Sequence, residues 1–213
     1  MPFADRRDAG RRLGDAVAAL GLERPVVLAL PRGGVPVAYE VARSIAAPLD
    51  VLMVRKLGCP WQPELGLGAI GEDGVQVLNA ELIGQARISP QEIAQIAERE
   101  GEELTRRVQR YRQGRPAVEL SGRDVVLVDD GLATGFTARA GIAVLRQRGA
   151  ATVVLAVPVA PAEALRELRD LADEVVCLEA PGWFVAVGGS YADFTQTTDA
   201  EVVDLLDANL TLS

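Results

Sequence analysis

The sequence predicts an α/β protein: one parallel sheet buried on both faces, with helices packed on either side. Two observations carry that prediction. Short, nearly continuous apolar runs rich in Val and Leu fall at 26–30, 51–54, 125–128, 152–157 and 174–178, the pattern of strands covered on both faces. Amphipathic segments alternate with them at 35–46, 138–149 and 162–171, the second ending at Gly149, a residue suited to a helix C-cap. Such alternation builds a parallel sheet whose ligands lie outside the carboxyl ends of its strands. At 213 residues and 49% hydrophobic, the chain suits one core and little more.

In chain order, residues 3–20 place Ala9, Leu13, Val17 and Leu20 at helical spacing, an opening amphipathic helix. The first strand ends in Pro31-Arg32-Gly33-Gly34-Val35-Pro36, a glycine turn feeding a helix start. The second, 51–54, ends in Arg55-Lys56. Residues 57–67, LGCPWQPELGL, read as a loop, and 68–78 as a β-hairpin around Glu72-Asp73-Gly74. Ser89-Pro90-Gln91-Glu92 is a capping-box start with Pro at the first helical position, opening a helix that runs to about Arg112. Its Ile93, Ile96, Leu104 and Val108 face suits packing or contact with a second copy, and no chemistry is expected of it. The tail, 180–198, gathers Trp183, Phe184, Tyr191 and Phe194 in a chain that is only 4% aromatic.

Charge and composition exclude several functions. The chain has 22 basic and 30 acidic side chains, a formal charge of -8, and no histidine. Without imidazole there is no Ser-His-Asp triad, no histidine base and no histidine-ligated zinc. The acidic balance does not draw a nucleic-acid backbone, and Arg6-Arg7, Arg11-Arg12 and Arg106-Arg107 are interleaved with acids as solvated helix faces are. Cys59 and Cys177 lie in no metal or redox spacing. The charged N-terminus does not read as a signal peptide, and no long apolar run follows, so a cytoplasmic protein without a membrane span is expected.

The chemistry concentrates in VVLVDDGLATGFT, residues 125–137. A buried strand runs into two carboxylates and then a small-residue turn opening a helix. Such a turn directs amide N–H groups and the Thr134 and Thr137 hydroxyls at a phosphate on the helix N-terminus. Gly131 and Gly135 permit close backbone approach. Asp129 and Asp130 repel phosphate, but they suit vicinal sugar hydroxyls and a divalent cation. The plainer reading is a polar strand-to-helix turn. The segment is neither a Walker A loop nor a GxGxxG fingerprint.

At these residues the sequence resembles the type I phosphoribosyltransferases, whose signature is a hydrophobic strand, two acids and an Ala/Thr-Thr-Gly-x-Thr loop. The resemblance implies one domain over 1–213 with the parallel-sheet type I phosphoribosyltransferase fold, its core at about 25–178. It further implies a helical insertion at about 79–116, and a small C-terminal hood from about 180 to 213 with the N-terminal helix 3–20. It implies catalytic Asp129 and Asp130 on the ribose diol, with Asp130 as proton acceptor or oxocarbenium stabiliser. It places Ala133, Thr134, Gly135, Phe136 and Thr137 on the 5-phosphate of phosphoribosyl pyrophosphate (PRPP). Pyrophosphate falls to Arg32, Gly33 and Gly34, joined by Arg55 and Lys56 if that pair faces the same pocket. Mg2+ is the implied cofactor, held by Asp129 and Asp130 directly or through water.

The implied reaction transfers ribose 5-phosphate from PRPP to a small nitrogenous-base acceptor, with release of pyrophosphate. The acceptor would rest on Val159, Trp183 and Phe184; the lysine with which purine enzymes of the family read a 6-oxo group has no counterpart after the 152–157 strand. Residues 57–67 occupy the place of the family's mobile catalytic loop, where Trp61 and Glu64 serve either as a lid or as packing and turn residues. A homodimer without membrane or nucleic-acid partners is expected. The alternative is a non-catalytic regulator of the same fold that binds PRPP or nucleotides.

Overall fold

The computed structural model describes residues 2–211, apart from the side chains of 63–65 and 73. Its centre is a five-stranded parallel sheet of β1 (Val26–Ala29), β2 (Leu49–Val51), β6 (Asp124–Val128), β7 (Thr152–Val159) and β8 (Glu174–Glu179), ordered β2-β1-β6-β7-β8. Residues alternate between two apolar layers, which is why the strand sequences are apolar throughout. Val27, Val126 and Val154 point to one layer, shared with α1 (Arg6–Ala18), α2 (Gly34–Ser44) and α7 (Asp199–Leu210). Leu28, Leu127 and Leu155 point to the other, against α5 (Phe136–Gln147) and α6 (Ala162–Arg169). Helices on both faces are as the sequence predicts.

From β1 the chain steps outward to β2, whereas from β6 it steps the other way to β7 and β8. The order therefore reverses between β1 and β6. In an open α/β sheet the loops at such a switch diverge and leave a crevice at the carboxyl edge. The loops after β1 and after β6 are the two glycine-rich segments singled out above.

The 51–54 strand needs correction. β2 stops at Val51, and β3 (Val54–Cys59) belongs to a separate antiparallel sheet with β4 (Gln62–Gly71) and β5 (Gln76–Leu78). Periodicity cannot show a chain changing sheets inside one continuous apolar run. Residues 57–67 complete a β3–β4 hairpin with Trp61 exposed beside its tip, not an irregular loop. The expected β4–β5 hairpin forms, closed by a 3-10 turn at Glu72–Gly74.

After a short α3 (Ala80–Ala86), α4 (Pro90–Arg112) begins at the capping box expected of Ser89 and Glu92. Its Ile96 and Leu104 are buried in the main core, with Ile93 and Val108 packed beside them, so that face is used within the chain. Arg112, at the end of α4, is 7% exposed and bonds Asp50, Glu72 and the Val51 carbonyl. This buried cluster ties the insertion to the sheet. Among the described residues no helix is long and apolar enough to cross a membrane.

The tail crosses the carboxyl edge of the sheet before entering α7. Phe3 and Tyr191 form an isolated parallel bridge, and with Ala9 and Val159 they make a small apolar cluster of their own. Residues 180–198 thus join the N-terminus above the strand ends, while α7 sends Val202, Leu205 and Leu206 into the main core.

Candidate functional site

The two loops at the switch point are in contact. A Cβ on Gly33 would lie 2.0 Å from Oδ2 of Asp130, and one on Gly34 would lie 2.8 Å from the Val128 carbonyl oxygen. Only bare backbone lets the 31–34 loop lie against the acid pair. A cis peptide bond joins Pro31 to Arg32 within this loop. On the other side, Gly131 (φ 154°) packs under Val159 and Val187, and Gly135 (φ 71°) turns the chain into α5. Ala133, Thr134 and Thr137 stand exposed around that turn, with Phe136 half-buried.

The helix starts differ according to position. Asp5, Asn79, Ser89 and Thr198 cap α1, α3, α4 and α7 with their own side chains. The helices opening at the switch point, α2 and α5, have Gly33 and Gly135 at the N-cap and no side-chain cap bond; α6, after Pro161, also has none. Such N-termini present the positive end of the helix dipole, which suits an anionic ligand; at α2 the Gly34 and Val35 amides already donate to the Leu30 and Arg32 carbonyls, and at α5 the Phe136 amide donates to the Thr134 hydroxyl at 3.5 Å.

Asp129 and Asp130 sit together, the Asp130 amide donating to Oδ1 of Asp129 at 2.9 Å. Asp130 is also held from outside the strand. Nε of Arg6 donates to Asp130 Oδ2 at 2.8 Å, its Nη1 donates to the Thr195 carbonyl at 2.7 Å, and the Tyr191 hydroxyl donates to the Asp130 carbonyl at 2.5 Å. The Arg6 guanidinium lies 3.9 Å from the centre of the Phe194 ring. Burial pushes the Asp129 carboxyl well above the usual range, and the neighbouring Asp130 charge adds to that. The pair is therefore asymmetric, with a guanidinium against Asp130 and burial raising the carboxyl of Asp129.

Arg6 is only 9% exposed, so the solvated-face reading of Arg6-Arg7 fails at its first member. The signal lay in the sequence: Arg6 precedes Ala9 by three positions and Leu13 by seven, on the apolar face of α1. A charge on a core face needs a buried partner.

The cationic pair after the second strand separates. Arg55 Nε bonds Glu100 of α4 at 2.7 Å, while Lys56 lies on the opposite side near Gly66, Phe136 and Thr134. Neighbours in a strand face opposite ways, so the two do not share one pocket. The structure puts Lys56, not Arg55, beside the 134–137 turn. Val159 is fully buried beneath the tail, Phe184 packs against the same small cluster, and Trp183 is 89% exposed. Val159 and Phe184 thus share one buried cluster, and Trp183 stands apart from them. Beside Tyr191, which donates to the Asp130 carbonyl, Phe194 also reaches the site, lining a cavity of about 460 Å³ with Arg6, Arg32, Gly33, Asp130 and Gln196. The Glu64 side chain lies outside the described residues.

Mg2+ can be tested against these donors. Among the described residues no three His, Cys, Asp or Glu side chains gather as a metal cage. Asp129 and Asp130 offer the one or two carboxylates with which Mg2+ is commonly held when substrate phosphates and water complete its shell. They fit a cation that arrives with a phosphorylated ligand.

A parallel sheet with an acid pair and two bare helix N-termini at its switch point defines a doubly wound α/β protein with an anion-receptive crevice. The chain belongs to the phosphoribosyl transferase domain family, whose sequence model matches residues 7–195. A Mycobacterium tuberculosis protein provisionally named a phosphoribosyl transferase is 53% identical over 205 residues, 96% of this chain and 46% of that protein. The chain thus spans about half the length of the curated relatives it matches. The crystal structure of TT1426 from Thermus thermophilus superposes with a TM-score of 0.88 at 50% identity, covering 97% of this chain and 98% of that one. The AQ2163 protein from Aquifex aeolicus shares the fold at 14% identity, with a TM-score of 0.51 over 95% of this chain and 85% of its own.

Proposed function

We propose that this chain is a Mg2+-dependent phosphoribosyltransferase that moves ribose 5-phosphate from PRPP to a nitrogenous-base acceptor and releases pyrophosphate. One observation carries the reading: Gly33 of the glycine loop after β1 lies against Asp130 of the acid pair, and that pair runs straight into the turn that opens α5. The 133–137 turn receives the 5-phosphate on its amides and on the Thr134 and Thr137 hydroxyls. Arg32 and the amides of Gly33 and Gly34 receive pyrophosphate, and Lys56 stands near enough to the turn to add a charge to the phosphate end.

In the transfer, the bond from the ribose anomeric carbon to pyrophosphate breaks as the bond to the acceptor nitrogen forms. Asp130, held against Arg6, presents negative charge to the positive charge developing on the ribose. Asp129 meets a ribose hydroxyl. Mg2+, when bound, neutralises charge on the departing pyrophosphate. Phe194, whose ring stacks on the Arg6 guanidinium, lines the cavity beside Asp130 in which the acceptor would rest.

A second reading has an observation of its own. Arg6 already occupies one Asp130 oxygen, as would suit a protein that binds PRPP or a nucleotide without transferring the sugar. Calorimetric titration with PRPP and Mg2+, followed by a pyrophosphate-release screen over purines, pyrimidines, orotate and nicotinate-like acceptors, separates the two. Saturable binding with release supports the enzyme, binding without release for any acceptor supports the regulator, and no binding sinks both. Asp130→Asn and Thr134→Ala are each expected to weaken PRPP at least tenfold, about 1.4 kcal/mol; affinity within twofold of wild type would mean the site is misplaced.

A further inference from the structure

The insertion helix α4 brings arginines to the edge of the site. Arg106, Arg107 and Arg110 line a cavity of about 570 Å³ together with Arg32, from the loop between β1 and α2. The acids in its wall are Glu103 and Asp199, so four guanidinium groups face two carboxylates in a chain whose formal charge is -8. Such a local surplus of positive charge draws an anion regardless of the net charge around it.

The walls of this cavity already grip an oxyanion. The Asp199 carboxylate accepts from the Tyr111 hydroxyl at 2.7 Å and pairs with Arg110 at 2.6 Å and Arg32 at 3.9 Å. The Tyr111 hydrogen bond, then Arg110, Arg32 and Arg107, hold Asp199 below the usual carboxylate range despite the opposing effect of burial. Glu103 bridges Arg106 and Arg107 from one turn earlier. Each of the four guanidinium groups thus has a carboxylate partner, but two carboxylates offset only half of the positive charge, and the surplus is what an external anion meets.

Geometry sets the kind of anion. Arg106 and Arg110 are four residues apart on one helix face, with side-chain origins roughly 5–6 Å apart, and Arg32 approaches from a different element. One phosphate does not span that array, whereas linked phosphates can, each meeting a guanidinium fork. We propose that this cavity is a second anion site, which takes the oligophosphate group of a small molecule and is separate from the 133–137 turn. Tyr111 is buried and its hydroxyl is engaged, so phosphate, not a stacked ring, is the recognised group.

Arg32 joins the two regions, because it also lines the cavity that holds Gly33 and Asp130. An oligophosphate drawing on Arg32 therefore weakens the grip of the 31–34 loop on PRPP. That coupling rests on the proposed function, whereas the anion site does not.

The test is calorimetric titration of the full chain with sodium tripolyphosphate and, in parallel, a nucleoside triphosphate, both without PRPP. Saturable one-to-one binding is expected. The Arg106→Gln/Arg110→Gln double variant, at side chains 77% and 66% exposed, should lower affinity at least tenfold. Glu103→Gln, which removes a competing carboxylate, should raise it severalfold, and Thr134→Ala should leave it within twofold. A nucleoside triphosphate that binds tighter than tripolyphosphate identifies a nucleotide ligand; equal affinities identify a bare oligophosphate, and both support the site. The proposal is overturned by no binding at millimolar anion, by unchanged affinity in the arginine variant, or by an equal loss in Thr134→Ala, which would place the anion in the turn. Tripolyphosphate binding in a protein that ignores PRPP would leave this site standing and remove the proposed function.

Discussion

Two nearly buried arginines tie the additions of this chain to its parallel sheet, and they do so differently. Arg112, at the end of α4, donates to both oxygens of Asp50, both oxygens of Glu72 and the Val51 carbonyl. Those acids in turn accept from the backbone at Val51, Met53 and Val118. Arg6, near the start of α1, makes one bond to Asp130 and one to the Thr195 carbonyl, and it borders two cavities. One cluster is closed by the protein itself, and the other stands at the rim of a crevice. A buried charge surrounded on all sides fixes position, while one at a rim also sets the charge that a ligand meets.

Breaking the closed cluster should give the largest effect. Arg112→Ala leaves Asp50 buried without its counter-charge and Glu72 with only Arg148, at 3.9 Å, which costs about 4 kcal/mol and shows in denaturant unfolding. PRPP affinity of the remaining folded protein should stay near wild type, since none of these groups lines the crevice. Arg6→Ala removes a partner of similar burial but opens Asp130 to water, so about 2 kcal/mol of stability is expected to go. Its mark is elsewhere: PRPP affinity should shift at least fivefold and pyrophosphate release should change, with Arg6→Lys restoring part of both. If Arg6→Ala loses stability alone, the two arginines are the same device and the comparison fails.

The difference between them also separates what was legible in the sequence from what was not. The strand from Val125 to Val128, its acids and its turn form one contiguous segment, so local pattern displays their chemistry. The same holds for α4, announced by Ser89, Pro90 and Glu92. One helix has a local signal that the sequence reading does not use, α7 after Thr198 with Glu201 three residues on, whereas α3 after Asn79 falls inside the helical insertion expected at about 79–116. Arg6 meets Asp130 across 124 positions, and no periodicity reports such a contact. The sheet change at Leu52–Met53 was hidden for a related reason, because strands of either sheet need the same apolar residues. What the chain writes locally can be read locally; what packing assembles needed the fold.

A smaller change sharpens the contrast at the other end of α4. Ser89→Ala removes the hydroxyl that accepts the Glu92 amide at 3.2 Å, costing about 1 kcal/mol or roughly 2–4 °C in Tm for a chain of this size. Since Arg112 anchors the far end of the helix, PRPP titration should be unaltered within twofold. A larger loss of affinity would mean that α4 reaches the crevice through more than its last turns.

A last test takes the rim from its second acid. With Arg6 against Asp130, burial and the Asp130 charge raise the Asp129 carboxyl in the folded protein, whereas the unfolded chain titrates near the ordinary value of about 3.9. Between those two values the folded state holds the extra proton, so stability from this group rises as pH falls through the window and is lost as pH climbs through the raised value. Asp129→Asn cannot ionise but keeps an oxygen for the Asp130 amide. The variant should therefore melt above wild type at pH 7, and the gap should close as the pH is lowered toward about 4, as read from thermal unfolding across a pH series. Were the variant less stable at pH 7, Asp129 would be an ionised and well-paired group, and the reading of it as a buried carboxyl raised beside Asp130 would be wrong.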